Sequence, residues 1–285
     1  MGIAEVPVAL SGTLRNITAT GNPMGEDPEN RNAWAEGLNI RQFDESIEYL
    51  FYPCCVTAYD STQRNSIRST VKILAKAGVD FGILGNVGCC GESVRKSGDE
   101  DLFINLMNSN TTRFATNKVN KIIVNSPHCY NTFKKEYSEL GGKFEVIHIS
   151  QMISNLISSG SLQFTKSLNG QVAYHDPCYL GRHNDIYIEP RATINSLPGI
   201  ELVEMSPFGP DSLCCGGGGA RIWLETPKNE RFSDIRLQQA LATGAKTLIT
   251  NCPYCLSNFR DSMLNQDIPE DFTVQDINEL IAEAI

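Results

Sequence analysis

Cys54, Cys55, Cys89, Cys90, Cys129, Cys178, Cys214, Cys215, Cys252 and Cys255 are the ten cysteines of the chain, and three adjacent pairs stand among them. A disulfide between sequence neighbours closes a strained ring, so adjacent pairs suit a disulfide framework badly. In a chain of 285 residues without a secretory leader, grouped thiolates read better as metal or cluster ligands. The second half gives the cleaner set: Cys178, then Cys214-Cys215-Gly216, then Cys252-Pro253-Tyr254-Cys255. Zinc takes four ligands, usually close in sequence. Five soft thiolates from three separate stretches exceed that need and suit iron with bridging sulfide. The first half repeats the order with Cys55, Cys89-Cys90-Gly91 and Ser126-Pro127-His128-Cys129. Ser126 stands where the second copy has Cys252, and Cys54 is an extra thiol without a counterpart. Five thiols result again, and we expect all five to be ligands, with Cys54 replacing the thiol missing at Ser126. A neutral serine hydroxyl is a poor substitute for a soft anion.

Three loops per half can meet at one point only if the elements before them end at one edge. The sequence offers such elements. Apolar runs at residues 47–52, 81–84, 121–125 and 144–148 predict strands, and all but the last run into the cysteine stretches. Helical spacing of Ile67, Val71 and Leu74, with Gly78 as a stop, predicts a helix between the first two. The second half repeats the order, with strands predicted at 171–175, 201–205, 246–250 and 272–274. The internal repeat is roughly 110–120 residues long. Alternating strands and helices predict an α/β fold of two similar tandem domains with mostly parallel sheets, related by an approximate two-fold. Cysteines at the carboxyl ends of strands lie where open α/β sheets gather ligands. We place the first cysteine-rich domain at 46–168 and the second at 169–285. Residues 1–45, rich in turn formers and charges, read as an extended arm with at most one short helix. Trp34 and Leu38 are its candidate anchors, on the body or on a partner.

Other residues near the cysteines have narrower readings. The run Gly216 to Gly219 lacks the lysine and hydroxyl of a phosphate loop. Gly91, Gly216 and Gly217 instead let backbone N–H groups approach cluster sulfurs. Arg221 is a candidate to balance cluster charge or hold an anionic substrate. His175 and His183 flank Cys178, and His128 adjoins Cys129. An imidazole there can deliver a proton to a leaving thiolate or hydrogen-bond near a cluster, or simply satisfy a strand end. His148 reads as structural, and Asp176-Pro177 as the turn that presents Cys178.

The net charge of −9 argues against a nucleic-acid partner, which needs a basic surface. No apolar run is long enough to span a membrane. We expect a cytoplasmic protein.

Three stretches carry a resemblance. They are Tyr174 to His183 (Tyr-His-Asp-Pro-Cys-Tyr-Leu-Gly-Arg-His), Leu213 to Arg221 (Leu-Cys-Cys-Gly-Gly-Gly-Gly-Ala-Arg) and Asn251 to Cys255 (Asn-Cys-Pro-Tyr-Cys). Over residues 46–285 the chain resembles the cysteine-rich CCG domains of heterodisulfide reductases, in their B and D subunits, and of related iron–sulfur oxidoreductases. The resemblance implies a non-cubane 4Fe–4S cluster in each half, the two facing one another across a cleft. There a disulfide of two thiol coenzymes is cleaved, a two-electron reduction. Ser126 departs from the family pattern. Residues 14–24 look like the linker that follows a two-cluster ferredoxin domain in fused relatives. That implies a separate ferredoxin-like subunit here, alongside a flavoprotein subunit. The expectation is therefore an iron–sulfur oxidoreductase subunit of a heterodisulfide-reductase-like complex. Its rivals are an electron relay between a flavoprotein and a quinone or ferredoxin partner, and a zinc-binding structural protein.

Anaerobically purified protein should contain about eight irons and matching acid-labile sulfide. Zinc with little iron would remove the cluster reading for both halves.

Overall fold

The computed structural model of the chain describes residues 7–285, apart from the side chain of Asn229. Its strands form two separate sheets, both wholly parallel. The first holds β1 (Arg41–Gln42), β2 (Tyr49–Tyr52), β3 (Phe81–Ile83), β4 (Lys121–Val124) and β5 (Glu145–His148), in the order β1-β3-β2-β4-β5. The second holds β6 (Gly170–Tyr174), β7 (Ile200–Val203), β8 (Thr247–Thr250) and β9 (Thr273–Asp276), in the order β7-β6-β8-β9. Without β1 the two orders coincide, β2 answering to β6 and β4 to β8. The repeat seen in the cysteines is thus a repeat of topology. The strands are short apolar runs because both faces of such a sheet are covered. Ile122, Ile123 and Val124 of β4, for instance, are completely buried.

Two helix pairs join the halves. The helix Arg64–Lys76 packs on Ile277–Ala284, and the helix Ile149–Ser158 packs on Ile188–Ser196. The helices after β2 and β9 make the first pair; those after β5 and β6 make the second. Exchanging the halves turns one contact into the other, which is what a two-fold relation requires. Ile67, Val71 and Leu74 share one buried cluster with Ile277, Leu280 and Ile281. Asn278 Nδ2 donates to Thr70 Oγ1 at 3.0 Å within that contact, which gives the buried amide nitrogen a partner.

The amino-terminal segment differs from the extended arm its composition suggests. It carries the helix Val8–Thr20, a 3-10 stretch Pro28–Ala35, and β1, which pairs with β3 at the edge of the first sheet. Leu10, Thr13 and Ile17 form the helix's buried face, and Gly21 ends it in the left-handed region at φ +71°. Gly21 O accepts from Cys89 N at 2.7 Å, tying the segment to a cysteine loop. Trp34 is 1% exposed and meets Phe51 edge-on at 6.1 Å, so its anchor is the body of the protein itself. Among the described residues no helix is long and apolar enough to cross a membrane.

Because Trp34 is a core residue, Trp34→Ala should cost about 3–5 kcal/mol of stability. Denaturant unfolding measures this, and a loss below about 1 kcal/mol would show that the segment is only loosely attached.

Candidate metal centres

The cysteines sit at the carboxyl ends of the strands around the point where each sheet's strand order reverses. After β2 the chain turns at once: Cys54 caps the helix Cys55–Tyr59 and Cys55 is its first residue. A strand end would point neighbouring side chains apart, whereas a helix cap lets both face inward. Cys89 and Cys90 lie in the loop after β3. Ser126 caps the helix Pro127–Asn131, which carries Cys129, after β4. In the second half Cys178 follows β6, Cys214 and Cys215 follow β7, and Cys252 caps the helix Pro253–Met263 that carries Cys255. Pro127 and Pro253 occupy the first helical position, where the missing N–H costs nothing.

Each set of five thiols forms one connected chain, and none is in a disulfide. In the second half Cys178 Sγ lies 3.8 Å from Cys214 Sγ, Cys214 contacts Cys215, Cys215 contacts Cys255, and Cys255 contacts Cys252. In the first half the order is Cys55, Cys89, Cys90, Cys129, Cys54. Cys54 therefore stands in its chain where Cys252 stands in the other. Asn125 Oδ1 holds Cys54 there by accepting from its N–H at 2.9 Å. Ser126 Oγ is buried with no partner.

The thiols polarise one another. Hydrogen bonds from Cys178 and then Cys215 pull Cys214 down to about 2. Cys129 and Cys89 do the same for Cys90, to about 6. Burial opposes ionisation of Cys252, but Cys255 and His128 outweigh it and hold it near 5. In each set at least one thiol is thereby pushed toward thiolate, the form that binds metal. Five converging sulfurs fit iron with bridging sulfide and exceed what zinc takes.

Of the three candidate glycines after the pairs, two bring an N–H to a cysteine sulfur and Gly217 does not. Gly91 and Gly216 adopt φ +89° and +85°, where a side chain is strained. Their N–H groups donate to Cys89 Sγ at 3.5 Å and Cys214 Sγ at 3.3 Å. Gly217 packs so closely on Asn258 that a Cβ would come within 2.8 Å of it.

The histidines divide by environment. His175 is fully buried, and one of its ring nitrogens, Cys215 Sγ and Cys255 Sγ all lie within 4.8 Å of one another. Its Nδ1 accepts from Arg236 Nε at 3.3 Å, so the proton resides on Nε2, which has no other partner. Burial, then Arg236, lowers its pKa to about 3, so it acts as a neutral hydrogen-bonding group. His148 is likewise neutral and caps the helix after β5, a structural role. Asp176 accepts from Arg191 at 2.7 and 2.9 Å and from Gly209 N at 2.8 Å, fixing the turn before Cys178.

His128 joins the two sets. It adjoins Cys129 of the first, yet Cys252 of the second is close enough to favour its charged form. Tyr179 and Tyr254 sandwich it at 4.2 Å on either side, and Tyr254 is its own counterpart in the repeat. Its Nδ1 lies 3.2 Å from Glu92 Oε1, a carboxylate 1% exposed. Burial works against the charge, but Glu92 and Cys252 raise the imidazole to about 10.

A cavity of about 960 Å³ opens on the second set alone, bordered by Cys178, Cys214 and Cys215. His183 and Arg221 both line it. His183 is exposed and stacks on Tyr179 at 4.4 Å, while Arg221 donates to Thr226 Oγ1 at 3.2 Å. Ile222, Leu224 and Phe232 form its apolar wall. The first-half thiols are all at most 7% exposed. Two neighbours escaped the sequence reading. Glu92 had a signal, a carboxylate next to Cys89-Cys90-Gly91 where the second copy has Gly217. Arg31, whose Nη1 donates to Cys55 Sγ at 3.4 Å, had none.

The model of the cysteine-rich domain CCG matches residues 49–134 and 172–260. Among curated proteins, the chain is 33% identical to the EtfAB:quinone oxidoreductase of Syntrophomonas wolfei, over 99% of this chain and 41% of that protein. It is 33% identical to the probable iron-sulfur-binding oxidoreductase FadF of Bacillus subtilis, over 95% of this chain and 40% of that protein. It is 30% identical to a component of the dihydromethanophenazine:CoB--CoM heterodisulfide reductase of Methanosarcina barkeri, over 93% of this chain and 65% of that protein. The chain thus spans two fifths to two thirds of the length of these relatives. A hypothetical protein from Helicobacter pylori shares the fold, with a TM-score of 0.55 over 99% of this chain and 55% of that one, at 10% identity. With both halves matched and each match gathering a full set of thiols, the chain belongs to the CCG cysteine-rich domain family and carries two copies of that domain.

Proposed function

We propose that the chain is an iron–sulfur electron-transfer protein with one non-cubane 4Fe–4S cluster in each half. The observation that carries this reading is the gathering of ten free thiols into two connected sets of five, one sealed and one facing a cavity. Cys54, Cys55, Cys89, Cys90 and Cys129 would hold the first cluster. Cys178, Cys214, Cys215, Cys252 and Cys255 would hold the second. When bound, such clusters take up and release electrons one at a time. The chain's own part is to bury the sulfurs, supply Gly91 and Gly216 N–H groups to them, and hold the His175 ring close to Cys215 and Cys255. Tyr179, Tyr254 and the His128 ring fill the space between the sets and exclude water from it. The relatives' names, an EtfAB:quinone oxidoreductase, an iron–sulfur-binding oxidoreductase and a heterodisulfide reductase component, support a redox role within a larger assembly.

Two activities compete. Cleavage of a coenzyme disulfide between clusters calls for a pocket bounded by both sets of thiols. The cavity borders only the second set, which favours a relay in which electrons enter or leave beside Cys178 and Cys214. A flavoprotein and a ferredoxin-like or quinone-linked subunit are the partners such a relay would serve.

Replacing Cys214 or Cys215 by serine should lose roughly half of the iron and abolish transfer to an added acceptor. Iron analysis and acceptor reduction measure both effects. Full transfer with half the iron would mean that the first set, not the second, serves the acceptor.

The swap of Cys54 for the missing thiol at 126 has its own check. Cys54→Ala should remove or remodel the first cluster, and Cys54→Ala/Ser126→Cys should restore part of it. A single variant with unaltered iron and an unaltered first-cluster magnetic-resonance signal would take Cys54 off the ligand set.

A further inference from the structure

Arg31 lies in the amino-terminal 3-10 stretch, outside both matched domains, yet it is 1% exposed and among the largest fully buried side chains. A guanidinium keeps its proton in proteins. A buried charge is expensive unless an opposite charge meets it. No carboxylate forms an ion pair with Arg31 among the described residues. Its Nη2 donates to Pro53 O at 2.8 Å, its plane lies 4.9 Å from the centre of the Tyr52 ring, and Nε has no partner. The neutral Tyr59 hydroxyl also lies beside the guanidinium, and the remaining hydrogen bond is Nη1 to Cys55 Sγ at 3.4 Å. Neutral partners satisfy hydrogen bonds but not charge, which leaves the Cys55 sulfur and the four thiols connected to it as the available anion.

The second half is built differently. Its buried guanidinium, Arg236, donates to His175 Nδ1, and the neutral imidazole stands between that guanidinium and the sulfurs. The first set therefore touches a guanidinium directly, the second only through a ring, and the one other buried cation among the described residues, His128, stands between Cys129 of the first set and Cys252 of the second.

We propose that Arg31 is the built-in counter-ion of the first centre, a positioning residue that raises the reduction potential of that centre alone and makes the amino-terminal segment part of it. A fixed positive charge at a ligand sulfur stabilises the added electron, and hydrogen bonds to sulfur and local charge are the levers that set such potentials. The proposal rests on the cluster reading above. The two fail separately: wild-type protein without iron refutes the reading, whereas iron-loaded protein with unmoved potentials refutes Arg31's role.

The test is a redox titration of anaerobically purified wild type, Arg31→Met and Arg31→Lys, followed by electron paramagnetic resonance. The signal lost in Cys214→Ser identifies the second centre. The expected result is a shift of the first centre to more negative potential in Arg31→Met, with the second unmoved and most of the wild-type value retained in Arg31→Lys. Wild-type potentials in Arg31→Met, or equal shifts of both centres, would overturn the proposal. If Arg31→Met loses the first cluster or fails to fold, Arg31→Lys decides. Retained iron and potential uphold a charge role, and equal loss with lysine shows a role in packing alone.

Discussion

Five sulfurs cannot be brought to one point by one loop, and that constraint shapes each half of the molecule. Three loops must converge, so the strands before them must end at one edge and run the same way. A parallel sheet with helical crossovers meets that demand. It also exposes, just beyond the strand ends, the crevice where the strand order reverses. β2, β3 and β4 deliver their cysteines there, and β6, β7 and β8 repeat the delivery. The helix caps finish the task. Proline at the first turn after Ser126 and after Cys252 starts a helix at once, and the residue three positions beyond the cap returns inward.

Joining two such halves brings their sulfur-bearing edges near one another, and the residues on the dyad acquire a special burden. His128 and Tyr254 are counterparts and stack on each other at 4.2 Å. Identity at this point would place two imidazoles, or two tyrosines, against one another. The chain instead supplies one ionisable ring, its buried carboxylate Glu92, and two phenol rings to enclose them. Gly217, the counterpart of Glu92, leaves no second carboxylate to compete. Symmetry is kept in the backbone and broken in the side chains at the place where the two sets of thiols come closest to sharing a residue.

The same division separates a closed site from an open one. The amino-terminal segment, anchored by Trp34, reaches the first set through Arg31 and the link from Gly21 to Cys89. Nothing equivalent precedes the second half, whose cavity stays open beside Cys178 and Cys214. One copy of the domain is thereby internal and the other faces outward.

The amino-acid sequence by itself determined the repeat, the parallel α/β class and the groups of cysteines. Apolar runs and adjacent thiols are local patterns, and every predicted strand appears within about two residues of its place. The sequence also placed glycines at Gly91 and Gly216, since a left-handed backbone after a cysteine pair admits little else. Tertiary structure decided the rest. Whether Cys54 joins its set depends on a turn that Asn125, distant in sequence, holds in place. Arg31 reaches Cys55 across 24 positions from a segment whose polar composition reads as loop. The helix Val8–Thr20 shows only three buried positions, too weak a period to be read against its polar neighbours. Charge compensation, stacking across the dyad and access to one set rather than the other arise from contacts between segments far apart in the chain, and local pattern carries no record of them.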